Sequence, residues 1–391
     1  MNILFICHKF PYPPNKGEKI RAYNIIKYLG KRHKIFLYTL YSEERELAGR
    51  RGLEQYCSFV GAYRINKFLS NLRSALYLFS SYPLTFGFFY SSRMKKEIKE
   101  CISRNSIDIV FASSSSTAQY VFGIKSKKKI MDFIDVDSLK WENYAKAAKF
   151  PLKFLYSTEA KRLKAWEDRI NRDFDVSIVC TEKERDNLEA ISAGGKDKIR
   201  VLENAVDPGY FSYREGLFDR KAVIFTGQMD YRPNVDAVIY FYFAILPLIR
   251  KGYPDLPFYV VGRNPDPSLK KLCRDSYITG EVEDIRVYMD KASIFVAPFR
   301  IAHGVQNKVL EAMAFGLPVV GVRSVLQGLH AQPGKDILIA DSPQDFAEKV
   351  MELLADRERY DSTARNARKY IEEYHNWERN LKALDLVICG S

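Results

Sequence analysis

The chain has 391 residues, of which 47% are hydrophobic and 28% are charged. This length and composition predict a globular protein with more than one core, and they exclude a disordered or low-complexity chain. Six widely spaced cysteines with no C-x-x-C pair argue against a zinc site or a disulfide scaffold and indicate a reducing compartment. The opening "MNILFIC" is too short for a signal segment, and no window of about 18 residues is continuously apolar, so we expect no transmembrane helix.

The positive charge lies in the first half of the chain. Residues 1–180 contain 32 Lys and Arg against 17 Asp and Glu, whereas residues 181–391 contain 29 against 31. The two halves therefore carry net charges of +15 and −2, which together give the +13 of the whole chain. Such an excess suggests an acidic partner for the first half: anionic lipid, nucleic acid or a phosphorylated acceptor.

Apolar runs separated by helical patterns follow one another through both halves. The runs are 2–6, 34–40, 108–113, 129–135 and 175–181, and then 222–227, 257–262, 293–299 and 318–322. Continuous Val, Ile and Phe runs of this kind predict parallel strands that are buried on both faces. Two such series predict an α/β protein with two Rossmann-like domains, and substrates would bind in the cleft at the carboxyl ends of the strands. We place the first domain at 1–205, the second at 206–374, and a helix at about 375–391 that packs back on the first.

The loop after the first predicted strand is "PYPPNKGEKIRAY", residues 11–23. Its prolines stiffen the backbone, and Gly17 permits a ligand to approach the main chain closely. Lys16, Lys19 and Arg21 supply positive charge. The alternative is a plain connection between a strand and a helix.

Residues 61–105 interleave Tyr, Phe and Leu with Arg and Lys. A basic helical face that also carries aromatic residues is typical of a membrane-interface patch. The alternative is an ordinary pair of helices whose aromatic side chains belong to the core. Nucleic-acid binding is a third interpretation, which ranks low because no recognition motif accompanies the stretch.

Three acidic residues, Asp132, Asp135 and Asp137, occur within "DFIDVDS" at a predicted strand end. Such a group raises the possibility of a metal site or a general base. A metal needs more converging oxygen ligands than one strand end supplies, so we predict none. The alternative for these residues is a helix cap or a turn.

The segment "TGQMDYRPN", residues 226–234, predicts a tight turn after a strand. A turn of this kind can expose backbone amides to a pyrophosphate. Arg232 could bind phosphate oxygens, since a planar guanidinium matches them; the alternative is a surface arginine. We interpret Pro233 and Asn234 as a turn residue and a helix N-cap.

The stretch "HGVQNKVLEAMAFGLPVVG", residues 303–321, predicts a loop, a short helix and a strand. Gly316 stands where a left-handed helix end would fall, and Gly304 would let a phosphate approach the backbone. A helix start offers free N–H groups and a partial positive dipole, to which Lys308 adds a full charge. Glu311 lies one turn further, where its carboxylate could accept bonds from two ribose hydroxyls. The alternative is a buried helix whose Lys and Glu face water.

These motifs resemble those of one enzyme family. "NKVLEAMAFGLPVVG", preceded by "SIFVAPF", is similar to the nucleotide-sugar signature of GT-B glycosyltransferases of family 4. "LENAVDPGYF", "IFTGQMDYRPNVDAV", "YVVGRNPD" and "YITGEVEDIRVYMDKASIFVAPF" resemble further landmarks of that family, in the same order. "DFIDVDSLKWENYA" together with "HGVQNKVLEAMA" resembles the subgroup of PEP-CTERM/exosortase-associated sugar transferases. The resemblance covers nearly the whole chain and implies the GT-B fold, with two Rossmann-like domains that face each other across a cleft.

The resemblance also implies roles for single residues. Glu311 would hold the ribose of the donor, while Lys308 and the helix-start amides would hold its diphosphate. Asp135 lies near the place where many members carry a histidine that faces the transferred sugar, so the implied catalytic residues are Asp135, Arg232 and Lys308. Lys16, Lys19 and Arg21 would lie on the acceptor side. The implied donor-binding residues are Gly17, Gly227, Gln228, Arg232, Arg263, Val282, His303, Gly304, Gln306, Asn307, Lys308, Val309, Leu310 and Glu311.

The chain departs from the family pattern at three of these positions. Members often place a second glutamate eight residues before the first, where this chain has His303, which could donate to a sugar hydroxyl or a phosphate instead. A basic residue often follows the glycine at which this chain has Gln228. Gly17 stands alone where many members have a pair of glycines.

The function implied is transfer of a hexosyl group from a nucleoside diphosphate sugar to a saccharide or lipid-linked saccharide, in exopolysaccharide or cell-surface glycan synthesis. The family expectation is retention of the anomeric configuration, with no cofactor and no metal. The expected partners are the donor, the acceptor and an anionic membrane surface, with no nucleic acid, at the cytoplasmic face of the cell membrane. Two alternatives are a nucleotide-sugar epimerase of the same fold and a non-catalytic binding protein that retains the fold.

Overall fold

The computed structural model describes residues 1–124, 126, 128–300 and 305–389. The chain divides into two compact units. Unit 1 consists of Met1–Glu203 and the segment that starts at Leu381, and unit 2 consists of Asn204–Asn380. The returning segment therefore starts about six residues later than position 375, where the sequence analysis placed it.

Unit 1 is built on a parallel sheet of seven strands in the order β3-β2-β1-β4-β5-β6-β7. The strands are β1 Asn2–Cys7, β2 Lys34–Tyr41, β3 Phe59–Arg64, β4 Ile109–Ser113, β5 Lys128–Ile134, β6 Val176–Val179 and β7 Ile199–Val201. The helices are α1 Gly17–Gly30, α2 Arg51–Glu54, α3 Lys67–Leu76, α4 Leu84–Phe88, α5 Ser92–Arg104, α6 Asp137–Ala147, α7 Leu152–Asp173 and α8 Glu182–Ile191. The five strands predicted for this half are confirmed, and β3 and β7 were missed because they are short or half exposed.

Unit 2 has a parallel sheet of six strands in the order β10-β9-β8-β11-β12-β13. The strands are β8 Val223–Thr226, β9 Phe258–Val261, β10 Tyr277–Ile278, β11 Ile294–Ala297, β12 Val319–Val322 and β13 Leu338–Ala340. The helices are α9 Arg232–Tyr240, α10 Leu246–Ile249, α11 Pro267–Leu272, α12 Arg286–Met289, α13 Asn307–Phe315, α14 Pro343–Ala355, α15 Arg357–Tyr374 and α16 Trp377–Asn380. All four predicted strands are confirmed, and the edge strands β10 and β13 are additions.

The predicted apolar runs form the strands of both sheets. Helices cover both faces of a parallel sheet of this kind, so side chains on either face of a strand are removed from water. Every residue of β4, β8 and β11 is buried. The α13–β12 connection follows the predicted punctuation, since Gly316 ends the helix with φ of +93° and its backbone N–H returns to the carbonyls of the last turn.

The chain passes from one unit to the other after Glu203 and again at Leu381, and hydrogen bonds within each unit hold the segments near these points. Within unit 2, the buried imidazole of His375 contacts the Asn204 carbonyl at 2.9 Å and the Tyr370 hydroxyl at 2.9 Å. This anchors residues 375–380 to unit 2 and explains why the returning segment starts later than predicted. Within unit 1, α17 (Lys382–Cys389) places Asp385 2.6 Å from the Tyr28 hydroxyl and 2.6 Å from the Arg32 guanidinium.

A buried ion pair crosses the interior of unit 1. Arg21 on α1 and Asp132 on β5 are both fully buried, and the guanidinium donates to both carboxylate oxygens at 2.8–3.1 Å. A further bond from the guanidinium reaches the Leu202 carbonyl at 2.6 Å. Because Arg21 has no exposed surface, the prediction that it lies on the acceptor side was wrong. Lys19 is also buried, and its ammonium pairs with Glu46 at 2.7 Å, so of the three cations only Lys16 keeps that prediction.

Candidate functional site

Two segments of unit 2, the connection from β8 into α9 and the start of α13, meet around the ammonium group of Lys308. Lys308 is the second residue of α13, and its Nζ donates to the Asn234 Oδ1 at 2.6 Å. The Asn234 amide in turn donates to the Gln228 carbonyl at 2.8 Å. A Cβ atom added to Gly227 would stand 3.3 Å from the Lys308 Nζ. The residues assigned to the donor in two separate motifs therefore lie together at the carboxyl edge of the sheet.

Glycine is required where the loops after β8 and β9 approach each other. Gly227 and Gly262 have φ values of +154° and +153°, which side chains rarely adopt. A Cβ atom on Gly262 would fall 1.6 Å from the Gly227 carbonyl oxygen. The Arg263 guanidinium then lies 3.5 Å from the Gln228 side-chain oxygen, so these two predicted donor residues are neighbours.

Asn234 has a role that the sequence analysis did not assign. The N-cap of α9 is Tyr231, and Asn234 is a buried residue of the first turn. Our interpretation of Asn234 as the N-cap was wrong, because its side chain turns inward to hold the Lys308 ammonium and the Gln228 carbonyl. Arg232 opens α9 with an exposed side chain, and its assignment to the diphosphate stays a prediction.

Lys308 and Glu311 are half-buried on one side of α13. Burial lowers the pKa of Lys308 to about 8, against the opposing effect of the Glu311 carboxylate. Burial raises the pKa of Glu311 to about 7, against the opposing effect of Lys308. Among the described residues, Glu311 has no hydrogen-bond partner, and the buried Asn307 Oδ1 has none either. The Asn307 oxygen is therefore buried without a partner among the described residues, which is costly unless a ligand binds it.

These pKa values predict a pH optimum for nucleotide binding. If Glu311 must be ionised to accept ribose hydroxyls, affinity rises as pH passes upward through about 7, and if Lys308 must be charged to hold phosphate, affinity falls above about 8. We expect titration calorimetry with a nucleoside diphosphate to give a bell-shaped affinity profile between those limits. Glu311→Gln should remove the acid limb and move the basic limb to lower pH, because the Glu311 carboxylate no longer raises the pKa of Lys308. An unchanged acid limb in that variant would contradict the assignment.

A groove of about 610 Å³ extends from the carboxyl end of β10. Val282 and Tyr210 line it, and the Arg286 guanidinium lies over the Tyr210 ring at 3.9 Å. Asp284 holds Arg286 through bonds of 2.6–3.0 Å. Burial raises the pKa of Tyr210, and the Asp284 and Glu311 carboxylates add smaller increases, so Glu311 lies within electrostatic range of the Tyr210 ring. The sequence analysis missed Tyr210, which it used only as a landmark within "LENAVDPGYF".

The remaining predicted donor residues of unit 2 lie around the start of α13. Gln306 is the N-cap residue of α13, and Val309 and Leu310 are buried in its first turn. The backbone N–H groups of Val309 and Leu310 already donate to the Gln306 carbonyl at 2.8 and 3.4 Å, and their side chains belong to the core. His303 and Gly304 lie outside the described residues.

In unit 1, the acidic segment after β5 is held by several bonds. Asp135 is exposed and accepts a bond from the Cys180 thiol at 3.0 Å, whereas Asp137 accepts from Ser115 at 3.1 Å. Ile134, directly before Asp135, has φ of +70°, which is strained for a β-branched residue and costs on the order of 1–3 kcal/mol. Strain of this kind clusters at functional sites, which supports the prediction made for Asp135.

A buried carboxyl group that the sequence analysis missed supports the same segment. Glu167 on α7 is fully buried and accepts from the Ser138 backbone at 3.0 Å. Burial raises the pKa of Glu167 to about 8, with a contribution from the Asp137 carboxylate. Burial likewise raises the pKa of Asp137. Only tertiary packing brings α7 to the start of α6, so the sequence offered no signal for it.

The loop after β1 differs in detail from its prediction. Gly17 opens α1 with no side-chain cap, and Lys16 is the half-buried residue before it. Lys9 pairs with Glu18 at 2.6 Å across this loop. Within the part of the chain that the structure describes, no group of three or more His, Cys, Asp or Glu side chains is arranged to hold a metal ion. No described helix is long and apolar enough to cross a membrane.

Comparisons with known proteins bear on the whole arrangement. Residues 220–356 match the family described as Glycosyl transferases group 1. An uncharacterized 44.6 kDa protein in the cps region of Klebsiella pneumoniae is 22% identical over 393 residues, which cover 96% of each protein. One component of the human phosphatidylinositol N-acetylglucosaminyltransferase is 23% identical over 337 residues, which cover 82% of this chain and 62% of that protein.

A solved structure extends the likeness to the full length. The crystal structure of HepE from Anabaena in complex with UDP-glucose has a TM-score of 0.70 at 14% identity, and the match covers 100% of both chains. The predicted fold and the predicted enzyme class are thereby confirmed. The chain has the GT-B fold of glycosyltransferases, and its residues 220–356 match the glycosyl transferases group 1 family.

Proposed function

We propose that the protein transfers a sugar from a nucleoside diphosphate sugar to a hydroxyl of a saccharide or lipid-linked saccharide. The bond between the anomeric carbon and the diphosphate oxygen breaks, the acceptor oxygen bonds to that carbon, and the acceptor proton and the nucleoside diphosphate leave. The observation that carries the proposal is the Lys308–Asn234–Gly227 constellation, with the Glu311 carboxylate one turn away. The HepE structure, which holds UDP-glucose, supports the choice of donor class.

The proposed chemistry rests on stabilising the leaving diphosphate. Lys308 stays charged at neutral pH despite its lowered pKa of about 8, and Asn234 fixes its ammonium in place. The amides at the start of α13 and the Arg232 guanidinium add donors for phosphate oxygens. Donors that are already aligned stabilise developing negative charge at no further cost of reorganisation. Glu311 would take the ribose, and the groove beside Tyr210 and Val282 would take the base.

The direct test is a thermal-shift panel of UDP, GDP, ADP and dTDP on wild type and Glu311→Ala. We expect one nucleotide to stabilise the wild type. Loss of the ribose contact should weaken that nucleotide about tenfold, which removes roughly 1.4 kcal/mol of ligand stabilisation at saturation. Glu348→Ala, at an exposed glutamate of α14, is the matched control and should behave as wild type.

Other results of this panel would change the proposal. If no nucleotide stabilised the wild type, a non-catalytic binding protein would become the better assignment. If the nucleotide bound but incubation with its sugar returned an epimerised nucleotide sugar rather than a transferred sugar, the enzyme would be an epimerase.

The biological setting forms a further part of the proposal. We infer a role in exopolysaccharide or cell-surface glycan synthesis, with retention of configuration and membership of family 4 and its PEP-CTERM-associated subgroup. The motifs "NKVLEAMAFGLPVVG" and "DFIDVDSLKWENYA" support the family, and the Klebsiella relative from a cps region supports the setting.

We also infer an anionic membrane surface as a partner at the cytoplasmic face. α3 supports this, because its Leu69, Leu72 and Leu76 are exposed, together with Phe68 (75%) and Phe79 (92%) at its two ends. No Asp or Glu occurs from residue 55 to 96. Phe86, Met94 and Ile98 of residues 61–105 belong to the core, as the alternative interpretation expected, so the proposed membrane contact concerns only the exposed side chains of this stretch.

A further inference from the structure

A second exposed apolar feature of unit 1 is the turn between α6 and α7, residues 147–154, here termed the hairpin tip. Phe150 is 85% exposed, Phe154 is 68% exposed, and Leu152 lies between them with 51% exposed. Single exposed apolar side chains are ordinary on protein surfaces, but a continuous apolar tip marks an interaction site. The sequence analysis did not single out this turn.

The charge around the hairpin tip has one sign. No Asp or Glu occurs between Glu142 and Glu159. Lys146, Lys149 and Lys153 are exposed, and none of them forms an ion pair with a described residue. Their charges are therefore available to a partner, and they match a surface that carries negative charge.

The base of the hairpin is aromatic. The Trp141 ring on α6 lies 5.3 Å from the Tyr156 ring on α7 and 5.8 Å from the Tyr144 ring on its own helix. Further along α7, the carboxylate of Glu159 binds the backbone of Leu84 and Thr85 at the start of α4. The order along the hairpin is thus apolar side chains and lysines at the tip, then Trp and Tyr at the base. Membrane interfaces select this order, because aromatic rings with polar edges favour the headgroup level.

We propose that the hairpin tip inserts into the headgroup region of an anionic phospholipid bilayer, with Phe150, Leu152 and Phe154 among the acyl chains and the three lysines at the phosphates. The inference rests on the proposed function, since it specifies how an enzyme with a lipid-linked acceptor would reach the membrane. The hairpin tip would give unit 1 a second membrane contact, in addition to the one proposed for α3. A bilayer fits the charge and the shape, because a protruding apolar turn ringed by lysines has no groove in which to hold a peptide.

The test is co-sedimentation of the full chain with phosphatidylglycerol vesicles and with phosphatidylcholine vesicles. We expect the wild type to pellet with the anionic vesicles, and Phe150→Ser/Leu152→Ser/Phe154→Ser to bind them at least about tenfold more weakly, since each buried CH₂ contributes appreciably. Lys146→Glu/Lys149→Glu/Lys153→Glu should lose a similar factor on anionic vesicles only. The matched controls are Phe243→Ser, at an exposed phenylalanine of unit 2, and Lys270→Glu on α11, which should bind as wild type.

The inference would be overturned if the wild type did not sediment with anionic vesicles, or if the apolar triple variant bound them as well as the wild type. It would also be overturned if the apolar triple variant changed its oligomeric state without losing vesicle binding. That last result would assign the tip to contact with a second copy of the chain. Nucleotide stabilisation measured on the same samples separates this failure from failure of the proposed function. A variant that still responds to the nucleotide but has lost the vesicle has lost only its membrane contact.

Discussion

Lys308→Ala is expected to lower kcat by about 100- to 1,000-fold, which is the usual loss when one aligned donor to developing negative charge is removed. The ammonium group lies where the start of α13 meets the connection from β8 into α9, 2.6 Å from Asn234 and close to Gly227. The rings of Phe299 and Phe225 flank it at 4.7 and 5.5 Å. In such a partly dehydrated environment its charge acts on a phosphate with little screening by water.

The measurement is the initial rate of nucleoside diphosphate release from the donor that the thermal-shift panel identifies. KM should change less than kcat, because the charge on the leaving group is greatest in the transition state. Lys369→Ala, at an exposed lysine of α15, is the control for loss of one positive charge and should retain full activity. If Lys308→Ala kept kcat within a few fold of wild type, the leaving diphosphate would have to be held by other groups.

Arg21→Met is expected to destabilise unit 1 by about 3–5 kcal/mol, the cost of leaving a buried charge without its partner. Asp132 is fully buried and receives three bonds from the Arg21 guanidinium. Without them its carboxylate must either stay charged in the interior or take up a proton, and both are unfavourable. The Leu202 carbonyl, at the end of the last strand of unit 1, also loses its donor.

Thermal unfolding followed by circular dichroism would measure this change. For a unit of about this size the expected lowering of Tm is roughly 6–20 °C. Arg21→Met/Asp132→Leu should recover much of the loss, because replacing both partners removes the uncompensated charge. Arg104→Ala tests an exposed pair with Glu100 at 3.6 Å and should cost less than about 0.5 kcal/mol. Equal destabilisation by both single variants would show that burial of the pair has no special cost.

Local sequence patterns are enough to predict the parallel sheets and the position of α13. The side chains of an apolar run are enough to indicate a strand that is buried on both faces. The bounds of α13 are likewise set by local residues, namely those at its start and Gly316 and Pro318 at its end. For the same reason Lys308 and Glu311 could be assigned to one helical turn, since their separation is fixed by the helix itself. The short strands at the sheet edges escaped prediction because two or three residues carry too little periodicity to be recognised.

Which polar residues belong to the site and which to the core depends on long-range packing. Arg21 resembles any basic loop residue in the sequence, and its partner Asp132 lies 111 residues away. Asn234 has the pattern of a helix cap, yet it holds Lys308, which lies 74 residues away. Phe150 and Phe154 are large apolar residues of the kind found in protein cores, yet their side chains are exposed. In each case the role depends on what packs against the side chain, and contacts between distant segments are set by the packing of helices on sheets rather than by any local pattern.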